Sequence, residues 1–514
     1  MPIADYFARN AVAAAQAITG LDAERLAEKM RDVRVGIVLG RDAEGREGQA
    51  LTDLLVRLLA RLYPSLSIRG TPNGRLASAA EALATRINPN IELGGAPTIE
   101  IVVGSARPKK GARQRIYTGS EGWTSVVSTS RPLSCSDTSI PFGAGAAACI
   151  AAANLFRSVF LAEPQLDRDA TFLVPGSESF RGAGKRAPHI HGTFVMAGAG
   201  AIGNATAWAL ARTAIRGSLS IVDHQSIDLG NLQRYVLAER ADEHAPKATL
   251  AARYFRGHLI AKPHEMEIAR FLESANHSVD LLLLALDSAR DRRACQASLP
   301  RGVVNAWTQP GDLGVSTHDF LNGACVQCLY LPSGIDQSED SIIANALGVP
   351  DRLMQIRTLL YRNEGVPREL LEAIATARAL PIERLAPFEG RPIRALYVDG
   401  FCGGAVIPLS AVGTPRSEFH VPLAHQSALA GVLLAALGVQ KATSGIAGSH
   451  VSQIDMLKPL PGEPTRAVAK DPRGICICQD EDYREAYQQK FPRARSKVVT
   501  KHLSRAVPGA KRRS

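Results

Sequence analysis

From Thr193 the chain runs Thr193-Phe194-Val195-Met196-Ala197 into Gly198-Ala199-Gly200-Ala201-Ile202-Gly203 and then into an Ala-rich helix. An apolar strand that ends on a glycine turn and reverses into a helix is the opening unit of a parallel sheet, because parallel strands need a long crossover to return. The glycines permit a tight turn and close backbone approach, and the free amides of a helix N-terminus attract phosphate. The next strand, Leu219-Ser220-Ile221-Val222, ends on Asp223, twenty residues past Gly203. A carboxylate there can accept hydrogen bonds from a ribose. Taken alone, the pattern fits an NAD-dependent oxidoreductase nearly as well as any other nucleotide-binding enzyme.

The first half of the chain, to about Leu173, also alternates strands and helices. Val35–Leu39 and Ile99–Val103 read as strands, Thr52–Leu62 as an amphipathic helix and Phe142–Leu161 as a long apolar helix. Glycines 40, 45 and 48 after the first strand have the wrong spacing for a phosphate-cradling turn. A linker rich in Gly, Ser, Pro and Arg, from Pro175 to Pro188, separates the halves. Two βαβ-rich halves in 514 residues predict an α/β fold with mainly parallel sheets and a degenerate internal pair.

Past Asp223 the chain carries Asp228-Leu229-Gly230-Asn231-Leu232-Gln233-Arg234, then Lys247, then a strand (Val279–Leu286) followed by Asp287 and, five residues on, Arg292. In this order and spacing the chain resembles the ThiF/MoeB/ubiquitin-activating superfamily, over roughly residues 190–330 and again between 400 and 440. The resemblance implies two Rossmann-like adenylation halves, the first (1–174) inactive and the second active, joined by a linker (175–190). The active half would then run over 191–330, with a helical insertion at 331–396 and a catalytic-cysteine crossover and closing elements at 397–480. It implies ATP and Mg²⁺, with Gly198, Gly200, Gly203 and Asp223 on the nucleotide, Asn231, Arg234 and Lys247 on the phosphates, and Asp287 on the metal. Chemistry motivates the same set, since a carboxylate must be joined to AMP before its oxygen can leave, and that needs cations around the triphosphate. Relatives also borrow an arginine from a neighbouring subunit or inactive half, for which Arg9 is a candidate here. Under this resemblance an oxidoreductase leaves Arg234, Lys247, Asp287 and the cysteine pairs without a purpose.

Eight cysteines fall at 135, 149, 295, 325, 328, 402, 476 and 478. Cys135, Cys149 and Cys295 stand alone in apolar or helical surroundings and read as buried small hydrophobes. Cys325-Val326-Gln327-Cys328 and Cys476-Ile477-Cys478 suit a closed tetrahedral Zn²⁺ site, with free thiols or a redox pair as the other readings. Relatives build such a site from two C-x-x-C pairs, and the second pair here departs from that pattern. Cys402, in Asp399-Gly400-Phe401-Cys402-Gly403-Gly404, has glycines on both sides that would leave its sulfur accessible. A packed cysteine in a glycine turn is the plainer alternative. By resemblance Cys402 occupies the crossover where relatives carry their sulfur-handling or thioester cysteine, ahead of an apolar helix from about Val421 to Leu437.

The piece between Cys328 and Cys402 has helical patterns at Ser341–Leu347, Arg352–Tyr361 and Arg368–Ala379. Short sulfur-carrier activators lack it. With the fused first half, it makes the chain resemble most the bacterial ubiquitin-activating-type enzymes of conjugation systems associated with antiphage defence. The implied partners are a ubiquitin-like protein and a separate conjugating enzyme, or a sulfur-carrier protein without conjugation, and a homodimer stays open. No stretch resembles a conjugating domain or a C-terminal ubiquitin fold.

The net charge of +11 invites a nucleic-acid reading, but much of the excess sits in a basic tail (481–514) that reads as a solvated end. Hydrophobic residues at 46% and charged residues at 21% are ordinary for a globular chain. The apolar run around Leu281–Leu286 is too short to span a bilayer, and the N-terminus shows no secretory pattern, so a cytoplasmic protein is expected.

Overall fold

The computed structural model describes residues 4, 6–18, 21, 23–72, 74–108, 112–175, 177, 189–309, 312–331, 339–397, 401, 421–443, 448–460 and 465–492. The first sheet contains β1 (Val35–Leu39), β2 (Ser65–Arg69), β3 (Glu92–Leu93), β4 (Ile99–Val103), β5 (Gln114–Glu121), β6 (Thr124–Ser128) and β7 (Asp169–Leu173). The second contains β8 (Phe194–Ala197), β9 (Gly217–Val222), β10 (Leu259–His264), β11 (Leu281–Leu284), β12 (Gly302–Thr308), β13 (Asp312–His318), β14 (His450–Asp455) and β15 (Thr465–Ala467).

The strand orders are β3-β2-β1-β4-β5-β6-β7 and β10-β9-β8-β11-β12-β13-β14-β15. Each sheet is parallel through its fifth strand and antiparallel beyond it. The two halves therefore share one winding, although no residue-level repeat is visible between them. In such sheets the chain leaves the first strand to one side and later crosses to the other, which opens a crevice at the carboxyl ends of the strands. Each half has one, between β1 and β4 and between β8 and β11.

Around the first sheet lie α1 (Phe7–Ala17), α2 (Ala23–Arg31), α3 (Arg46–Leu62), α4 (Leu76–Ile87) and α5 (Phe142–Phe160). Around the second lie α6 (Ala201–Leu210), α7 (Lys247–Ala252), α8 (Ile268–Ser274) and α9 (Ala289–Ala297). After these come α10 (Glu339–Leu347), α11 (Leu353–Arg362), α12 (Arg368–Arg378), α13 (Ile393–Ala395), α14 (Ala424–Thr443) and α15 (Glu481–Lys490). The polar first turn of α3 hides it from apolar periodicity, so the helix begins at Arg46 rather than at Thr52. By length and composition α5 could cross a membrane, but 94% of its apolar window is buried inside the protein. A helix apolar all round belongs in a core, and here α5, α6 and α14 share one core across both halves.

Polar groups also join the halves. Trp208 on α6 donates its indole N–H to Asp53 on α3 at 2.7 Å, and Arg212 reaches the same carboxylate at 2.7 Å. Arg157 on α5 pairs with Asp167 and donates to the carbonyls of Met456 and Lys458 past β14. The insertion is different. Its helices α10 to α13 pack around their own buried cluster, including Leu347, Ile356, Leu371 and Phe388.

His425, near the start of α14, is 5% exposed and lies 5.5 Å from Phe156, ring to ring. Burial, reinforced by the nearby Arg157 charge, pushes its pKa from 6.5 down to about 3. The unfolded chain therefore binds a proton at this residue near pH 5 and the folded chain does not, so stability is retained above about 6.5 and falls as pH drops toward 3. The thermal midpoint should decline across that window, and His425→Gln should flatten the decline. An unchanged slope in the variant would show that this histidine does not contribute.

Candidate functional site

The glycine turn stands at the crevice between β8 and β11. Gly198 has φ +91°, a left-handed conformation, and a Cβ on Gly203 would lie 2.2 Å from the Gly198 carbonyl oxygen. Side chains at either position would force the turn apart. Asp223, just past β9, accepts from the Ala199 N–H at 2.8 Å and the Gln225 N–H at 2.9 Å. The carboxylate thereby ties its own strand end to the glycine turn. Asn204 on α6 adds a second tie: its amide donates to the Ala199 carbonyl at 2.9 Å, and its oxygen accepts from the Leu237 N–H at 3.1 Å.

The segment 229–238 is irregular, opening as a short 3₁₀ turn (Leu229–Gln233). Asn231 closes a capping box with Asp228, its side-chain oxygen accepting from the Asp228 N–H at 3.2 Å. Tyr235 is buried at 4% exposure. The Arg234 guanidinium lies 5.7 Å and the Lys247 ammonium 5.4 Å from its ring centroid, within cation–π range. A Cβ on Gly200 would lie 3.5 Å from the Tyr235 hydroxyl, so the ring that both cations approach borders the glycine turn. Lys247 also donates to Gln225 at 2.7 Å.

Burial pulls Arg234 below its usual range, partly offset by Tyr235 and Asp287. For Lys247 burial also pulls down, but Tyr235 and Asp223 together outweigh it and its pKa ends raised. Lys247 therefore stays a cation at neutral pH. Asp287 is exposed beyond β11 and within electrostatic reach of Arg234. The strand ends at Leu284, two residues short of the expected end, because the Leu286 carbonyl accepts from the buried Arg292 side chain instead of from a strand neighbour. Arg292 donates to Ala306 as well and stacks over Tyr330 at 5.0 Å, so it braces the loop carrying Asp287.

The structure thus brings together Gly198, Gly200, Gly203, Asp223, Arg234, Lys247 and Asp287 around one crevice. Asn231 lies beside them, with its oxygen engaged locally. Tyr235, Gln225 and Asn204 were not anticipated, although Tyr235 directly follows Arg234 and an aromatic beside a buried cation is a readable signal. The helix bearing Arg9 borders this box, since Tyr6 packs with Leu232 and Tyr235. Cys402 lies outside the described residues.

The matching crevice of the first half is occupied by the chain's own carboxylates. Asp42 accepts from the Ser105 N–H at 2.9 Å and the Cys135 N–H at 2.8 Å. Glu47, 1% exposed in the first turn of α3, accepts from Ser120 at 2.7 Å, Thr138 at 2.6 Å and the Gly122 N–H at 3.0 Å. Amides that could hold phosphate hold carboxylate instead.

Far from both crevices, the sulfurs of Cys325, Cys328, Cys476 and Cys478 all lie within 4.8 Å of one another. The closest pairs are 3.3, 3.4 and 3.6 Å apart. A tetrahedral zinc thiolate places its sulfurs about 3.8 Å apart, given Zn–S bonds of about 2.3 Å. The C-x-C spacing of the second pair is no obstacle to convergence, and the donor set is compatible with zinc. Such a site would pin α15 to the second sheet, beside the Tyr487 hydroxyl bonded to the Arg301 carbonyl at 2.6 Å. Metal analysis should find about one zinc per chain, and Cys325→Ser should lose the metal and lower the thermal midpoint. A metal-free chain of unchanged stability would count against it.

Comparison with known proteins follows this division. Residues 190–331 match the ThiF family model, and residues 40–161 match Prok-E2_C, described as Prokaryotic E2 family C. The second match falls on a stretch where the sequence alone suggested no likeness to a conjugating domain. Solved structures of E. coli MccB are also similar. The one with MccA-N7isoASN is 14% identical over 56% of this chain and 67% of that chain, with a TM-score of 0.34. The one with ATP is 14% identical over 56% and 66%, with a TM-score of 0.33. The ThiF match, together with the crevice, supports ATP-dependent adenylation of a substrate. An uncharacterized protein of Sinorhizobium fredii, y4jF, is 38% identical over 508 residues, 96% of this chain and 98% of its own length. The chain belongs to one family with y4jF, and its residues 190–331 match the ThiF family model.

Proposed function

We propose that the chain activates the C-terminal carboxylate of a ubiquitin-like protein and passes it through Cys402 to a separate conjugating enzyme. The observation that carries this reading is the convergence of Arg234, Lys247 and Asp287 on the glycine turn, with Asp223 bound to its amide. A carboxylate oxygen attacks the α-phosphorus of ATP, the bond to the bridging oxygen breaks, and pyrophosphate leaves with the electron pair. Arg234 and Lys247 neutralise charge that grows on the phosphate oxygens, in a site where buried cations act strongly. Asp287 would hold Mg²⁺, which would neutralise further phosphate charge. The Cys402 thiolate then attacks the acyl carbon and AMP leaves, giving a thioester.

The Prok-E2_C match favours conjugation over a sulfur-carrier role, but the matched half does not supply the acceptor. Cys135 is pushed up to about 12 by burial and by Asp42 and Glu47, and Cys149 is pushed up by burial in α5. Burial of both thiols supports an acceptor cysteine on a separate conjugating enzyme. The first half, its crevice closed by Asp42 and Glu47, serves as the inactive partner of the pair. The conjugation reading also carries the expected link to antiphage defence.

ATP·Mg²⁺ and a ubiquitin-like protein with a free C-terminal glycine should support ATP–pyrophosphate exchange and a thiol-sensitive adduct on a nonreducing gel. Asp287→Ala should lower exchange by about 10² or more. Cys402→Ala should keep exchange and lose the adduct. Exchange without an adduct in the unaltered protein would favour the sulfur-carrier reading, and full exchange in Asp287→Ala would sink the assignment of Asp287.

A further inference from the structure

Two arginines of α3, in the first half, end in the nucleotide box of the second. Arg61 donates through one terminal nitrogen to the Leu232 carbonyl and through the other to those of Val236, at 3.1 Å, and Ala238. Arg57 donates to the Val236 carbonyl at 2.9 Å while its Nε holds Asp53 at 3.0 Å. The Leu237 carbonyl accepts from the Tyr254 hydroxyl at 2.7 Å, and the Arg57 guanidinium lies 5.5 Å from the Tyr254 ring centroid. Four carbonyls on either side of Arg234 are thus fixed by side chains rather than by a sheet or a helix.

The physical reason is local. Segment 232–238 is largely buried where the halves meet, and its irregular backbone offers carbonyls that neither secondary structure nor water can satisfy. Arg61 is 1% exposed, and its guanidinium donates to backbone carbonyls rather than to a carboxylate. Burial draws its pKa down to about 10, still a cation at neutral pH. Burying an unpaired guanidinium is costly, and apolar glue between the halves would not need one. A planar fork with several donors is suited to fixing several carbonyls at once.

We infer that Arg61, seconded by Arg57, is a positioning residue: it holds segment 232–238, and through it Arg234, in the geometry that binds the triphosphate, so the first half sets the affinity of the second half's site. The inference rests on the adenylation reading for its ligand. Simple adhesion between the halves would make the same bonds but would not single out ATP. Arg157 provides the comparison, because it too is buried and reaches across to carbonyls of the second half, at Met456 and Lys458, away from the crevice.

The test titrates ATP·Mg²⁺ calorimetrically into the full chain, Arg61→Lys and Arg157→Lys, with thermal midpoints alongside. Lysine keeps the charge but not the fork. Arg61→Lys should weaken ATP by about tenfold or more, as expected for lost charged hydrogen bonds. Arg157→Lys should leave ATP within about twofold even where its midpoint falls as far. Unchanged ATP affinity in Arg61→Lys, or equal weakening in Arg157→Lys, overturns the inference. If Arg61→Lys does not fold, Arg57→Gln replaces it under the same two criteria. A wild-type chain that does not bind ATP overturns the adenylation reading as well, whereas binding by wild type with an unaffected variant overturns the positioning role alone.

Discussion

Buried guanidiniums crossing from the first half to the second are the interaction on which this molecule depends. Arg61 and Arg57 fix the segment that carries Arg234, and Arg157 fixes the chain after β14. Each has side-chain or backbone partners in a core from which water is excluded, and removing Arg61 or Arg157 would strand several carbonyls at once. The apolar helices α5, α6 and α14 supply the bulk of the buried surface between the halves. They bring the halves close, while the arginines determine which backbone carbonyls meet which donors.

One winding has been put to two uses. Both sheets open a crevice at the same topological point, and in both a helix N-terminus and loop amides face it. In the first half Asp42 and Glu47 satisfy those amides from within, and the lining is closed and self-sufficient. In the second half Asp223 satisfies only the Ala199 and Gln225 amides, and Arg234 and Lys247 stand around Tyr235. Positive charge gathered beside a glycine turn calls for an anionic ligand. One helix borders both features, since the first turn of α3 carries Glu47 and its last turn carries Arg61.

Much of this was legible in the sequence, and the unread remainder has a common cause. The glycine turn and Asp223 sit at spacings set by a strand, a turn and a helix, which are local, whereas the Asn231–Arg234 box, Lys247 and Asp287 were expected from the family resemblance. The Cys325, Cys328, Cys476 and Cys478 cluster could be proposed from ligand chemistry alone, though 476 and 478 lie on the far side of the insertion. The antiparallel strands β6, β7 and β13 to β15 were not readable, because their pairing partners depend on the whole sheet. Arg57 and Arg61 lie in the stretch read only as a helix of apolar spacing, and only tertiary structure shows them buried against another half. Gln225 escaped notice because its partner Lys247 belongs to a later element.

The most direct test of the central claim is a crystal structure of the full chain with Mg²⁺ and a nonhydrolysable ATP analogue. The account predicts phosphate oxygens within about 3.5 Å of the glycine-turn amides and between Arg234 and Lys247, with the first crevice still closed by Asp42 and Glu47. A nucleotide seated in the first crevice, or in the second with its phosphates away from Arg234 and Lys247, would contradict it.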